Sequence, residues 1–347
     1  MAIPNHEPYR YLPITDHDGI RLIVLYPSAD KVATVHCEML HVTLRQAQDE
    51  ICGHYTALSY VWGDPDDTTT ILVEGYSLRV TKSLECAFRY LRDEKRYLCV
   101  WADSVCINQK DEGEDEKSKQ VQQMGRVYEI AHHTVIFLGE CETAAEAALS
   151  RCLSYYEKGT RMSLIGTDLE VFQVLKHLLH CSWFYRMWIF QELVLSHDPK
   201  IQYGRIRFSW RTLHPLERLV KGITQTLTVK YSETSQELLE GQSAAFAVAV
   251  ANLDQEFKLV AQMNAAKSAF EKLQSTSKYN TENISGEGSG DRDILAFERF
   301  LGILDSRRGF EASDPRDLVF AHLGIVDPLI LKVDYGKTTS QVYEMFT

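Results

Sequence analysis

Three nearly unbroken apolar runs constrain most strongly what this chain can fold into. They are YTALSYVWG (55–63), YLCVWADSVCI (97–107) and HTVIFLGE (133–140), which alternate with segments of helical periodicity. A strand that is apolar on both faces is typical of a parallel sheet with helices on both sides. The alternation from residue 55 to 204 therefore predicts an α/β domain with a parallel sheet and right-handed crossovers.

Shorter patterns predict further elements around this sheet. Residues 20–43 indicate two or three strands, and 68–81 indicate a hairpin that turns at Glu74-Gly75. A short strand is predicted over 200–204. Amphipathic periodicity predicts helices, in chain order, over 82–92 with Thr81 or Ser83 as the N-cap, over 116–131, over most of 143–180 and over 183–196.

The same patterns divide the chain into three parts. Residues 1–54 form a strand-rich segment that we expect to pack on the core, 55–204 form the α/β core, and 205–347 form a mostly helical extension. The polar segment 277–293 predicts a flexible insertion within the extension. The chain stops inside an amphipathic pattern, so we expect the native protein to continue past residue 347.

Charge and composition narrow the class of partner. The formal net charge is -11 and no basic patch dominates, so no nucleic-acid partner is expected. The N-terminus lacks an apolar signal core, and no apolar run approaches the roughly 20 residues of a membrane span. Eight cysteines without a CxxC pair indicate reduced thiols. We therefore predict a cytoplasmic protein without a membrane span.

The predicted topology indicates where a ligand site lies. Parallel sheets bind ligands beyond the carboxyl ends of their strands. Here those ends are residues 59–63, 103–108 and 138–140. Trp62 stands in the turn after the first of these strands, where the sheet opens. It is therefore the tryptophan that we favour as a ligand platform, whereas the others are more typical of a core.

The predicted helix 183–196 carries an acidic residue on an apolar face. Trp188 and Glu192 are four residues apart and so share one side of a helix. A glutamate in this place is either a solvated edge residue or a group kept there for chemistry. The residues alone leave both interpretations open.

Taken together, these motifs resemble the fungal heterokaryon-incompatibility (HET) domain. HET domains are in turn similar to TIR domains, whose sheet is flavodoxin-like. The resemblance implies a TIR/flavodoxin-like parallel sheet flanked by helices, with added N-terminal strands, a β-hairpin and a helical C-terminal extension. The matching segments follow in order along nearly the whole chain: 55–63, 80–81, 101–109, 116–121 with Met124 and Tyr128, 183–192, 314–317, 323–324 and 334–335.

The resemblance also implies a chemistry. Enzymatic TIR domains carry a Trp-x-x-x-Glu helix whose glutamate is catalytic, and Trp188 to Glu192 has that spacing. The implied function is an NAD(P)+ glycohydrolase in fungal cell death and innate immunity, with Glu192 as the catalytic residue. Arg186 would either meet a phosphate or pair with an acid. The implied substrate-binding residues are Ser59, Tyr60, Trp62, Gly63, Asp103, Asn108, Arg186 and Trp188.

Such a reaction needs little machinery. Nicotinamide departs as a neutral molecule, so no general acid is required, and one carboxylate near the ribose can stabilise the sugar cation. NAD or NADP would be the substrate, and neither a cofactor nor a metal is expected. Hydrolysis and cyclisation both stay open.

Two further expectations concern assembly and the alternative function. Related TIR enzymes act as assemblies, which implies a homo-oligomer on activation and a signalling protein as a possible partner. The alternative is a non-catalytic TIR-like signalling or assembly module, in which Trp188 and Glu192 are core or interface residues. Catalysis is expected to require the Glu192 carboxylate exposed in the same cleft as Trp62 and Asp103.

Overall fold

The protein is an α/β protein built on one mixed sheet. A computed structural model describes residues 6–49, 54–110, 115–157, 168–213, 216, 257–272, 312–325 and 332–345. Within these ranges a single sheet has nine strands. They are β1 (Gly19–Leu25), β2 (His36–Thr43), β3 (Thr56–Tyr60), β4 (Thr68–Val73), β5 (Tyr76–Thr81), β6 (Leu98–Trp101), β7 (His133–Phe137), β8 (Pro199–Tyr203) and β9 (Ile206–Ser209).

The strand order is β5-β4-β2-β1-β6-β3-β7-β8-β9. The four neighbouring strands β6, β3, β7 and β8 run parallel, and so do β2 and β4. Numbered among themselves along the chain, the four neighbouring strands lie in the order 2-1-3-4, which is the doubly wound order of flavodoxin-like sheets. The pairs β1–β2, β1–β6, β4–β5 and β8–β9 are antiparallel. The α/β fold is therefore confirmed, with a block of parallel strands inside a mixed sheet, while the likeness to TIR domains stays a prediction.

Helices cover both faces of the parallel strands. Alternate residues of β7 enter two separate apolar clusters: Val135 and Phe137 lie in one and Ile136 in the other. Because successive strand residues point to opposite faces, β7 is covered on both sides. The helices are α1 (Leu44–Asp49), α2 (Lys82–Leu91), α3 (Asp103–Cys106), α4 (Asp115–Ile130), α5 (Thr143–Glu157), α6 (Asp168–Leu179) and α7 (Ile189–Leu195), with further helical residues at 257–272, Asp317–Phe320 and Thr339–Glu344.

Several local predictions are confirmed by backbone geometry. The hairpin β4–β5 turns at Glu74 and Gly75, whose φ angles are 53° and 84°. Two consecutive positive φ angles are typical of the type I′ turn that suits a two-residue hairpin. Of the two candidate caps for α2, Thr81 is the N-cap, and its side chain accepts a hydrogen bond from the Leu84 amide at 3.3 Å.

Two element predictions are wrong in their extent. The strand predicted over 97–107 ends at Trp101, and a helical turn follows from Asp103. The helix predicted over 183–196 is divided into a 3-10 turn, Ser182–Tyr185, and α7, because Arg186 between them is extended and donates to the Tyr60 carbonyl. Strand β9 is an addition that the sequence patterns did not predict, and it pairs with β8 after a turn at Gly204 with φ 57°.

Other predictions fall outside the described residues. The insertion 277–293 belongs to this group. The division into 1–54, 55–204 and 205–347 stays a prediction, although β1 and β2 join the same sheet as the core strands. Among the residues that the structure describes, no helix is both long and apolar enough to cross a membrane.

Gly125 marks a close approach that we expect to be sensitive to substitution. A Cβ at Gly125 would lie 2.8 Å from the Gly324 Cα and 3.2 Å from the Leu195 Cδ1. Gly125→Ala should therefore lower the free energy of unfolding by roughly 1–2 kcal/mol, because overpacking outweighs the gain in helix propensity. Chemical denaturation measures this, with Lys119→Ala on the exposed side of α4 as the control. A Gly125→Ala protein as stable as the parent would refute the close contact.

Candidate active site

A buried chain of hydrogen bonds joins β3 to α7. The Ser59 hydroxyl, near the carboxyl end of β3, donates to the Glu192 carboxylate. The Trp183 indole N–H in turn donates to the Ser59 oxygen at 2.7 Å. Because Ser59 accepts from Trp183 and donates to Glu192, its single proton is directed at the carboxylate. Ser59 therefore orients the Glu192 carboxylate, and Trp183 in turn holds Ser59.

Glu192 is a buried acid. Its side chain lies at the centre of α7, and the residue is 1% exposed. Burial raises the pKa of Glu192 from 4.5 to about 7, and the charge of Asp103 adds to the rise. The positive charge of Arg186 and the hydrogen bond from Ser59 lower the pKa and only partly offset the effect of burial. A carboxyl group that titrates near neutral pH is able to take or release a proton there.

Asp103 is a second buried acid at the same edge of the sheet. It stands at the start of α3, just after β6, and burial raises its pKa above the usual value. Its carboxylate accepts from the Trp62 indole at 2.8 Å and from the Ser104 amide at 2.8 Å. Trp62 is 38% exposed, so its ring forms the outer wall of this acidic cluster.

Arg186 supplies the positive charge of the cluster. Its guanidinium donates to the carbonyl of Tyr60, the last residue of β3. From this place its charge opposes the rise in pKa of both Asp103 and Glu192. The phenol of Tyr60 lies 2.5 Å from the Ser104 hydroxyl and links β3 to α3. Two acids and one guanidinium thus occupy the carboxyl ends of β3 and β6.

A cavity lies on the other side of the Val61–Gly63 turn. Gly63 has a φ of 77°, and Ser83, whose hydroxyl donates to the Val61 carbonyl, packs below the turn. The cavity has a volume of about 340 Å³, which is at the small end of the range for ligand sites. Polar and charged side chains from α2, β4 and the end of β7 line it: Thr69, Lys82, Ser83, Glu85, Cys86, Arg89 and Glu140.

The structure links several of the predicted site residues by hydrogen bonds, but the side chains of two of them bond to other groups. The Asn108 backbone amide donates to Glu116 at 3.1 Å, and the Asn108 side chain accepts from the Lys110 amide, so Asn108 stabilises the loop before α4. The Trp188 indole donates to Asp317 at 3.0 Å. The roles assigned to the remaining site residues stay predictions.

The structure also corrects one expectation about access. Catalysis is expected to require the Glu192 carboxylate exposed in one cleft with Trp62 and Asp103, and the structure does not meet this condition, because Glu192 is buried. Trp183, which sequence reasoning placed in the core, holds Ser59. Ser59 and Trp183 are 124 residues apart, and only the fold brings them into contact. Among the residues that the structure describes, no group of three or more His, Cys, Asp or Glu side chains is placed to hold a metal ion.

The fold and this edge define a doubly wound α/β domain with a buried acidic site. Residues 55–192 match the family model "Heterokaryon incompatibility protein (HET)". The matched region contains Ser59, Trp62, Asp103 and Arg186, and ends at Glu192 itself. Over residues 55–192 the chain is therefore similar to the HET family.

A curated relative is similar over part of the chain. "Heterokaryon incompatibility protein 6, OR allele" of Neurospora crassa is 36% identical over 133 residues. The alignment covers 35% of this chain and 18% of the relative, so this chain matches less than a fifth of that protein. No solved structure matches this chain.

The raised pKa of Glu192 predicts a pH-dependent stability. The folded protein keeps this group protonated up to about pH 7, whereas the unfolded chain releases the proton near 4.5. The contribution of Glu192 to stability therefore falls as pH rises between these values. Glu192→Gln keeps an acceptor for Ser59 and removes the charge. We expect the free energy of unfolding of this variant to exceed that of the parent by roughly 1–3 kcal/mol at pH 8.

Chemical denaturation between pH 4.5 and 8 measures this difference. The advantage of Glu192→Gln should shrink steadily toward the acidic end of the range, where both proteins carry a neutral side chain. Glu94→Gln, on an exposed loop, is the control and should track the parent at every pH. Parallel curves for Glu192→Gln and the parent would mean that Glu192 titrates normally.

Proposed function

We propose that this chain carries an NAD(P)+ glycohydrolase domain that acts in fungal heterokaryon incompatibility and cell death. The single observation that supports the chemistry best is the buried Glu192 carboxylate at the carboxyl edge of a doubly wound sheet. Ligands of such sheets bind at this edge, and strongly perturbed acids there are candidates for catalysis. The name of the Neurospora relative supports the biological setting.

The charge balance of the cluster suits a cationic substrate. Asp103 and Glu192 together outweigh Arg186 by one negative charge when both acids are ionised. The oxidised nicotinamide ring is a cation, and its departure leaves positive charge on the sugar carbon. Carboxylates in a site with little water stabilise such charge more strongly than they do in bulk solvent.

The reaction balances without a cofactor or a metal. The bond between the ribose carbon and the nicotinamide nitrogen breaks, and its electron pair leaves with nicotinamide, which becomes neutral. Water then bonds to the ribose carbon and releases a proton. Glu192, with a pKa of about 7, accepts that proton as a general base. Asp103 and Arg186 hold the substrate, and NAD and NADP are both candidates.

The substrate reaches Glu192 only if the cluster opens. Trp62 is its outermost member and is held by one hydrogen bond, to Asp103. We propose that this indole swings away from Asp103 and then stacks on the substrate, with Tyr60 and Gly63 shaping the pocket. Assembly of several copies, or a signalling partner, is the proposed trigger of this opening.

The burial of Glu192 also favours a second candidate function. Ser59 already donates to the carboxylate, and Glu192 is closed off from solvent. In a non-catalytic signalling or assembly module, this network would serve only to fix α7 and the Val61–Gly63 turn. The two functions differ in one outcome, which is the release of nicotinamide.

Nicotinamide release tests the proposed function. Purified protein is incubated with NAD+ or NADP+ at low and high protein concentration, beside Glu192→Gln and the exposed control Glu94→Gln. We expect release by the parent and the control, and a loss on the order of 10²-fold or more in Glu192→Gln. No release at any protein concentration would favour the assembly module. Equal release by all three proteins would remove Glu192 from the mechanism.

The pH dependence of the same reaction is a separate prediction. If the ionised Glu192 carboxylate is the form that works, kcat/KM should rise with pH and reach half of its maximum near pH 7, because this parameter reports groups of the free enzyme. Nicotinamide release between pH 5 and 8.5 measures it. A flat profile across this range would contradict the role of Glu192 as a base.

A further inference from the structure

The helix that carries Glu192 is too short to be stable by itself. α7 has seven residues, and its N-cap residue, Trp188, makes no side-chain capping bond. Helices of two turns are unstable in water without tertiary support. Since the contact between Glu192 and Ser59 depends on where α7 lies, the groups that hold α7 decide the geometry of the cluster.

Lys267 holds the carboxyl end of α7. Its ammonium group donates to the Val194 carbonyl at 3.3 Å and to the Ser196 carbonyl. Lys267 is 6% exposed, and its ammonium group also pairs with Glu271 on its own helix, at 3.3 Å. A positive charge on the last carbonyls of a helix satisfies orphan acceptors and complements the helix dipole.

Asp317 holds the amino end of α7. One carboxylate oxygen accepts from the Trp188 indole at 3.0 Å, and the other accepts from the Tyr335 hydroxyl at 2.7 Å. The Tyr335 amide donates to the Ser118 hydroxyl of α4 at 3.1 Å. The amino end of α7 is thus tied to α4 through two segments from the end of the chain.

A third contact fixes the middle of α7. Gln191, the neighbour of Glu192, is 1% exposed. In the orientation that satisfies both of its amide atoms, it donates to the Ala321 carbonyl at 3.0 Å and accepts from the Gly125 amide at 2.8 Å. Gly324 leaves the space that this side chain occupies. The segment 312–325 therefore contacts α7 beside the candidate catalytic residue.

We propose that Lys267 and Asp317 are positioning residues that hold α7 at its two ends and thereby place Glu192 against Ser59. This inference rests on the proposed function for its catalytic consequence. Both residues lie beyond the region 55–192 that matches the HET family model. The extension is then a working part of the site, because it determines the position of the helix that carries the acid.

Hydrogen exchange and the titration of Glu192 test this proposal in the full chain. Lys267→Met keeps the apolar stem and removes the donors, and Asp317→Asn removes the charge and one of the two acceptors. We expect amide exchange within 189–195 to become roughly tenfold faster or more. Adding Glu192→Gln to each variant gives a second comparison. The pH-dependent difference in the free energy of unfolding between the variant and this double variant should be smaller than the difference between the parent and Glu192→Gln, because Glu192 becomes solvated.

Matched variants separate positioning from general destabilisation. Lys258→Met changes an exposed lysine of the same helix and should leave both measurements unchanged. Tyr335→Phe removes one hydrogen bond to Asp317 but leaves the bond from Trp188, so it should change exchange and titration less than Asp317→Asn does. Lys267→Arg keeps a charged donor and should restore protection of α7 in part. Unchanged exchange and titration in both Lys267→Met and Asp317→Asn would overturn the proposal.

The outcomes distinguish this inference from the proposed function. If the parent releases nicotinamide, both positioning variants should lose on the order of 10-fold to 100-fold in kcat, as misplaced catalytic groups do. The pH at which kcat/KM of these variants reaches half of its maximum should also be lower than that of the parent. If the parent releases none, the proposed function fails, while exchange and titration still decide whether Lys267 and Asp317 hold α7. If Lys267→Met does not fold, Asp317→Asn and Lys267→Arg decide the question.

Discussion

The burial of the Glu192 carboxylate is the constraint on which the rest of the site depends. A charged group removed from water is costly unless it is paired or hydrogen-bonded. Here the hydrogen bond donated by Ser59, which is itself held by Trp183, offsets part of this cost. The raised pKa of Glu192 shows that the compensation is incomplete. Keeping an incompletely compensated carboxylate buried at the ligand edge of the sheet lowers the stability of the fold. Retaining such a residue in spite of this loss of stability is typical of functional sites.

This constraint relates the site to its surroundings. Trp62 donates to Asp103, the second buried acid at this edge of the sheet, and Trp62 is more exposed than either acid. On the other side, Lys267 and Asp317 hold the short helix that carries the acid. The acidic cluster is therefore enclosed by a part of the chain that matches the HET family and fixed by a part that lies beyond that match.

Much of the local structure followed from sequence patterns. The apolar runs at 55–63 and 133–140 predicted strands β3 and β7, and the turn at Glu74-Gly75 predicted the hairpin, because periodicity and positive φ angles are local properties. The same reasoning overextended the strand at 97–107. An apolar run indicates that a segment is buried but does not give its secondary structure. The helical turn Asp103–Cys106 is largely buried, so the pattern did not distinguish it from a strand.

The sequence by itself determined the α/β class, the edge of the sheet where polar residues gather, and the spacing that singled out Glu192. Tertiary structure alone decided what surrounds that residue. Ser59 is remote in sequence from both Glu192 and Trp183, yet it is hydrogen-bonded to both. Asn108 and Trp188 are hydrogen-bonded to other residues, and α7 is separate from the 3-10 turn before it. Burial, hydrogen-bond direction and pKa depend on groups brought together by long-range packing, and no local pattern encodes them.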